Sequence, residues 1–210
     1  MAAYPVVFDV ARPEKFDRAQ VWVRLAVMIV LAVLQIAGVV FGAAYLVLPV
    51  LAAVLIGQNG SARYRDETSR TVTKWIGYLV AFYAWVVMLT DRIHTEDSPV
   101  AGYRFEVRPT GEPRIGNALL RIILAIPSAI VLAILWILGG LLAFIAAIMV
   151  LVQEQYPQGI HGFLLGLMRW EARLLAYMAS LVGEYPPFAL DTGHEAAGGE
   201  QAPGGLGATH

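Results

Sequence analysis

The stretch LAVMIVLAVLQIAGVVFGAAYLVLPVLAAVLI, Leu25 to Ile56, contains no Asp, Glu, Lys, Arg or His. A second run of the same character extends from Ile122 to Gln153, and each run follows directly on an arginine, Arg24 or Arg121. About 20 apolar residues cross a hydrocarbon core of roughly 30 Å. Each run has 32 residues, which as one straight helix would reach about 48 Å. Each is therefore expected to fold back as two helices, placing hairpins over 21–57 and 118–153.

Working outward, the composition agrees with a bilayer. Hydrophobic residues make up 58% of the 210 and charged residues 15%, where soluble domains carry about 25% charged residues. The formal net charge of −1 gives no global attraction to nucleic acid. With no cysteine, disulfides, thiolate catalysis and cysteine metal sites are excluded. The segment before the first run carries Asp9, Arg12, Glu14, Lys15, Asp17 and Arg18. That mixture does not resemble the short basic start of a cleavable signal.

The pattern repeats. Phe8-Asp9-Val10 returns 97 residues later as Phe105-Glu106-Val107, Arg24 as Arg121, and Gly42-Ala43 as Gly139-Gly140; Lys74-Trp75 returns at 95 as Arg169-Trp170. Matches in register point to an internal duplication. The expected architecture is an all-α membrane protein of two tandem repeats, 1–97 and 98–191. Each comprises a short extended arm (YPVVFDV from Tyr4, YRFEV from Tyr103), a transmembrane hairpin, and an aromatic or amphipathic third helix (71–90, 162–182). The Gly/Ala/Pro-rich tail, 192–210, is expected to be disordered. The glycine pairs are expected to mark the hairpin turns, with close helix packing as the other reading.

Helix 162–182 places Arg169, Arg173 and Ser180 on one face and leucines and methionines on the other. Such a helix suits the headgroup zone or a bundle with its polar stripe turned inward. Basic residues mark the cytoplasmic side. If the third helices lie along the interface, every basic loop and both termini are cytoplasmic in a multi-pass inner-membrane protein. The alternative is six crossings with inverted halves.

Three phrases carry a family resemblance: Tyr156-Pro157-Gln158-Gly159, then Leu167-Met168-Arg169-Trp170-Glu171-Ala172-Arg173-Leu174-Leu175-Ala176-Tyr177, then Glu184-Tyr185-Pro186-Pro187-Phe188. They resemble the RYPRG, LRWxxRVxAY and LTDRYPPF motifs of the bacterial membrane family called domain of unknown function 4389, with Gln158 in place of an arginine. The resemblance implies a membrane protein and no particular chemistry.

Glu171 projects from the apolar face of its helix, and an ionisable group at membrane depth is a functional candidate by default. Its expected partners are Arg121 and Arg24, as an intramembrane ion pair. Arg63, Arg65, Arg169 and Arg173, with Trp75 and Trp170, are candidate contacts for lipid headgroups. His94, His161, His194 and His210 have no metal-ligand spacing, and no cofactor motif is present. The expected partners are the bilayer and other membrane proteins or further copies of this chain. The leading expectation is a non-enzymatic accessory subunit or membrane organiser; the alternative is a small oligomeric transporter or channel using Glu171 and the arginines.

Overall fold

The computed structural model describes residues 4–13, 18–34, 36–100 and 102–191; the expected disordered tail lies outside them. Strand β1 (Val6–Asp9) leads to helix α1 (Arg18–Val33) and α2 (Ile36–Asn59). A short turn, Ser61–Arg63, then runs through a π-helical turn, Tyr64–Thr68, into α3 (Ser69–Val86). The second half follows as β2 (Arg104–Val107), α4 (Ile115–Leu124), α5 (Ile126–Gln153) and α6 (Gln158–Met178). The chain is mostly helical, and α5 with the Gly38–Asn59 part of α2 is long and apolar enough to cross a membrane.

The two extended arms pair with each other. They run antiparallel in the register Val6↔Val107, Val7↔Glu106, Phe8↔Phe105, Asp9↔Arg104. Phe8 therefore sits opposite the residue 97 positions on, its own match in the sequence repetition. An antiparallel ladder has a local two-fold axis through each facing pair, so this register centres the ribbon on the repetition itself. Val6 and Phe8 are buried while Val7 and Asp9 are half-exposed, the period-2 pattern of a strand with one covered face.

Each apolar run does divide into two helices, but not at the glycines. Gly42-Ala43 lies inside α2 and Gly139-Gly140 inside α5. The first run divides between Val33, where α1 ends, and Ile36, where α2 begins, and the second at the single residue Ala125, whose φ of −76° and ψ of −17° stay helical. Pro127 explains the second break, because it has no N–H to give to the carbonyl one turn back. Of these glycines Gly139 serves packing: a Cβ there would lie 2.8 Å from Leu167 Cδ1, whereas one on Gly42 or Gly140 would meet nothing within 4 Å.

Within each run the two helices touch, α1 on α2 and α4 on α5. They also pair crosswise, with α2 against α4 and α1 against α5. Gly57 meets Ile115, and Ser61 Oγ donates to the Pro113 carbonyl (2.7 Å). Ala118 then packs with Ala52, Ala53 and Ile56, so α4 runs antiparallel to α2.

Helix α6 differs from the interfacial placement expected of it, whereas α3 keeps an exposed face with Arg70, Lys74 and Trp75. Every residue of α6 from Leu164 to Met178 is buried, against α5, β1, α3, α2 and α4. It is the central helix of the molecule, which is the inward-turned reading of its polar stripe. Both third helices end alike. Met88 (φ 62°) and Ser180 (φ 56°) adopt the left-handed conformation. Leu89 N donates to Ala84 O (2.8 Å), and Leu181 N to Ala176 O (3.0 Å), the six-to-one bond of a Schellman end.

Candidate functional site

Arg24 and Arg121, the arginines heading the two apolar runs, are both buried, and each bonds to the end of the third helix in its own half. Arg24 donates through Nη1 to the Thr90 carbonyl (2.8 Å) and through Nη2 to Gln20 Oε1 (3.0 Å) and the Asp91 carbonyl. Asp91 Oδ1 lies 3.4 Å from Nη2. Arg121 donates through Nη1 to the carbonyls of Val182 (2.8 Å) and Tyr177. Their guanidinium carbons stand 5.2 Å from the centre of the Trp85 ring and 4.3 Å from that of Tyr177. Thr90 and Val182 are 92 positions apart, as are Trp85 and Tyr177. Both arginines thus hold carbonyls at or just beyond the end of a third helix, over an aromatic face that favours the cation.

The expected ion pair between these arginines and Glu171 is therefore absent. Glu171 is almost wholly buried and accepts from the Tyr45 hydroxyl on one oxygen and from Trp136 Nε1 (3.2 Å) on the other. Tyr45 comes from α2 and Trp136 from α5, so the carboxyl group ties the central helix to both long helices. Two neutral donors replace the cation because the arginines are held one helix end away. Sequence reasoning missed both donors. The available signal was the rarity of side-chain O–H and N–H groups inside the two apolar runs, where Tyr45 and Trp136 stand out.

The other candidates separate into interior and surface. Arg169 donates to the Phe8 carbonyl (3.1 Å) and to Asp9 Oδ1 (2.8 Å), with Asp191 Oδ2 at 3.7 Å. It clamps the β-ribbon to α6. Arg173 is fully buried and donates to the Ala189 carbonyl. Trp170 is buried edge-on against Phe188, ring centres 5.4 Å apart. These three were expected at lipid headgroups and are structural instead, because the chain after α6 folds back over them. Gly166 shows the closeness of that return: a Cβ there would lie 2.7 Å from Leu190 Cβ.

Arg63, Arg65 and Trp75 do lie at the surface. Arg63 pairs with Glu67 (2.8 Å) and Arg65 with Asp66 (3.3 Å), both exposed pairs of little energetic weight. Trp75 has 66% of its surface exposed. Of the histidines, His94 stacks on Tyr103 with ring centres 4.1 Å apart and accepts from the Val100 N–H (3.1 Å). His161 stands edge-on to Tyr156. Its Nε2 is buried without a hydrogen-bond partner among the described residues, and burial together with Arg12 pushes its pKa down to about 4. His194 and His210 lie outside the described residues.

No curated protein and no solved structure gave a significant match to the chain. A family model matches residues 116–189, which run from α4 through the segment covering Arg173. That span contains Arg121, Trp136, Arg169, Glu171 and Arg173, together with the Tyr177, Val182 and Ala189 carbonyls that Arg121 and Arg173 hold. Over residues 116–189 the chain is therefore similar to the family described as Domain of unknown function (DUF4389).

Proposed function

We propose that the chain is a multi-pass integral membrane protein built from two related units, acting as a non-enzymatic accessory subunit or organiser within the bilayer. The observation that carries this reading is the outer surface of the long helices. Only 22% of the most apolar window of α2 and 28% of that of α5 is buried inside the molecule. The core helix of a soluble protein would be mostly covered. Here Val39, Leu46, Val47, Ile130, Ile134, Ile137 and Leu141 face outward, an apolar surface of the kind that hydrocarbon covers. At 10 residues, α4 covers about 15 Å and embeds beside α2 without spanning.

The matching arginine contacts, the matching helix ends and the register of the ribbon support descent from one duplicated unit. The closed surroundings of Glu171 favour the organiser over a transporter. Its two oxygens are occupied by Tyr45 and Trp136, and Arg24 and Arg121 are spent on carbonyls, so these groups line no polar path. The basic segments, with Arg63, Arg65 and Arg70 after α2 and Arg92, Arg104, Arg108 and Arg114 between the halves, lie on the cytoplasmic side in this reading.

The test uses the absence of native cysteine. Alkaline carbonate should leave the protein in the membrane pellet. A single cysteine at Ser98 should react with an impermeant maleimide only after cells are opened. Release by carbonate would defeat the membrane reading, and labelling of intact cells would invert the topology. Solute flux in liposomes that vanishes in Glu171→Gln would replace the organiser with the transporter.

A further inference from the structure

We infer that the cleft between the start of α3 and the exit of β2 binds a phosphate group, with an anionic phospholipid headgroup as its source at the membrane surface. The cleft, about 670 Å³, is lined by Arg65, Asp66, Ser69, Arg70, Thr73, Val107 and Pro109. That volume lies within the roughly 300–1,000 Å³ of ordinary small-molecule sites.

Its walls are fixed in place. The π-helical turn that carries Arg65 and Asp66 is anchored by Tyr64, buried, whose hydroxyl donates to the Ala179 carbonyl at the end of α6. The opposite wall is held by Arg108 N donating to the Pro5 carbonyl (2.9 Å) and Thr110 N to the Leu181 carbonyl (3.0 Å). Side chains on a rigid frame lose less entropy on binding than those of a loose basic loop.

The chemistry of the lining suits a phosphate ester. Two guanidinium groups offer forked N–H donors that match phosphate oxygens, and Thr73 adds a hydroxyl. Arg65 gives only Nε to Asp66, which leaves its terminal nitrogens for a ligand while part of the Asp66 charge is offset. Arg70 differs from its neighbours: Arg63 and Arg114 are paired with Glu67 and Glu112, whereas Arg70 has no acidic partner among the described residues. The placement at a lipid headgroup rests on the membrane reading above, because α2 ends at Asn59 just before the cleft and its apolar surface ends with it. The binding chemistry does not depend on that reading.

The experiment uses the full chain in mild detergent, titrated with short-chain phosphatidylglycerol, short-chain phosphatidylcholine or inorganic phosphate while thermal stability is read. The expected result is a saturable upward shift with phosphatidylglycerol, weakened at least tenfold in apparent affinity by Arg70→Gln and further by Arg65→Gln with Arg70→Gln. Arg114→Gln should leave it unchanged. Competition by inorganic phosphate only at far higher concentration assigns the lipid. Equal potency of phosphate and phosphatidylglycerol keeps the phosphate site and assigns a soluble ester. Equal responses to phosphatidylglycerol and phosphatidylcholine, or an unchanged titration in the double variant, overturns the inference. Release by carbonate would sink the membrane reading and leave this titration standing.

Discussion

Glu171 and His161 both lie on α6, yet they answer to different surroundings. Glu171 has two neutral donors and no cation, so a neutral amide is a fair replacement. Glu171→Gln still offers a carbonyl oxygen to Tyr45 or Trp136, and its expected cost is about 1 kcal/mol. Glu171→Leu strands both donors, at about 1–3 kcal/mol for each. Unfolding in detergent checks the order: a Gln variant as damaged as the Leu variant would indicate a charge partner after all. His161 is neutral in the folded protein at neutral pH. Its depressed pKa of about 4 lies below the ordinary value of about 6.5, so the unfolded chain takes up the proton first. The stability it contributes is intact above pH 6.5 and is lost as pH falls from 6.5 toward 4. Arg12 and Arg169 act with burial, and Asp9 opposes them. The stability difference between wild type and His161→Gln should therefore shift against wild type across that interval, and stay constant above it.

At the scale of the element, the glycines that match across the halves have different neighbours. A Cβ on Gly42 meets nothing within 4 Å, whereas one on Gly139 collides with Leu167 and closely approaches Leu164. The difference arises because α6 packs along α5, while α3 makes little contact with α2 and leaves a groove of about 310 Å³ lined by Val40, Ala44, Trp75 and Leu79. Gly139→Ala should cost about 1–3 kcal/mol through overpacking. Gly42→Ala should be neutral or stabilising by up to about 1 kcal/mol. Paired melting curves of the two variants measure the contrast. The arms and the apolar runs were legible in the sequence, because period and length are local properties, whereas the pairing of the two arms with each other was not. The breaks between Val33 and Ile36 and at Ala125 were hidden, since a glycine pair within a helix and one at a turn look alike until a neighbour is placed on them. Arg169 and Arg173 were misplaced for a related reason: a polar stripe has the same spacing whether it meets headgroups or the carbonyls of Phe8 and Ala189. The acceptors of Arg24 and Arg121 are backbone groups, which carry no signature of their own.

For the whole molecule, two kinds of contact divide the labour. Each buried arginine joins the first helix of its half to the end of the third helix in the same half. Helix packing, by contrast, also crosses between the halves: α5 packs along α6 in its own half, but α2 rests on α4 and α1 on α5. Neither half buries its helix faces alone. Residues 1–97 and 98–210 produced as separate chains should therefore accumulate poorly one at a time and co-purify through a tag on either when made together. A single half that is stable and monodisperse in detergent would contradict the crosswise packing. That packing also sets a clock on biosynthesis. Asn59 ends α2 and Ile115 begins α4, so the ribosome must add 56 more residues before the surface of α2 meets its match. At about 5–20 residues per second, the first helices stand unclasped for roughly 3–11 s, their apolar flanks open throughout to any chaperone or protease that meets the nascent chain.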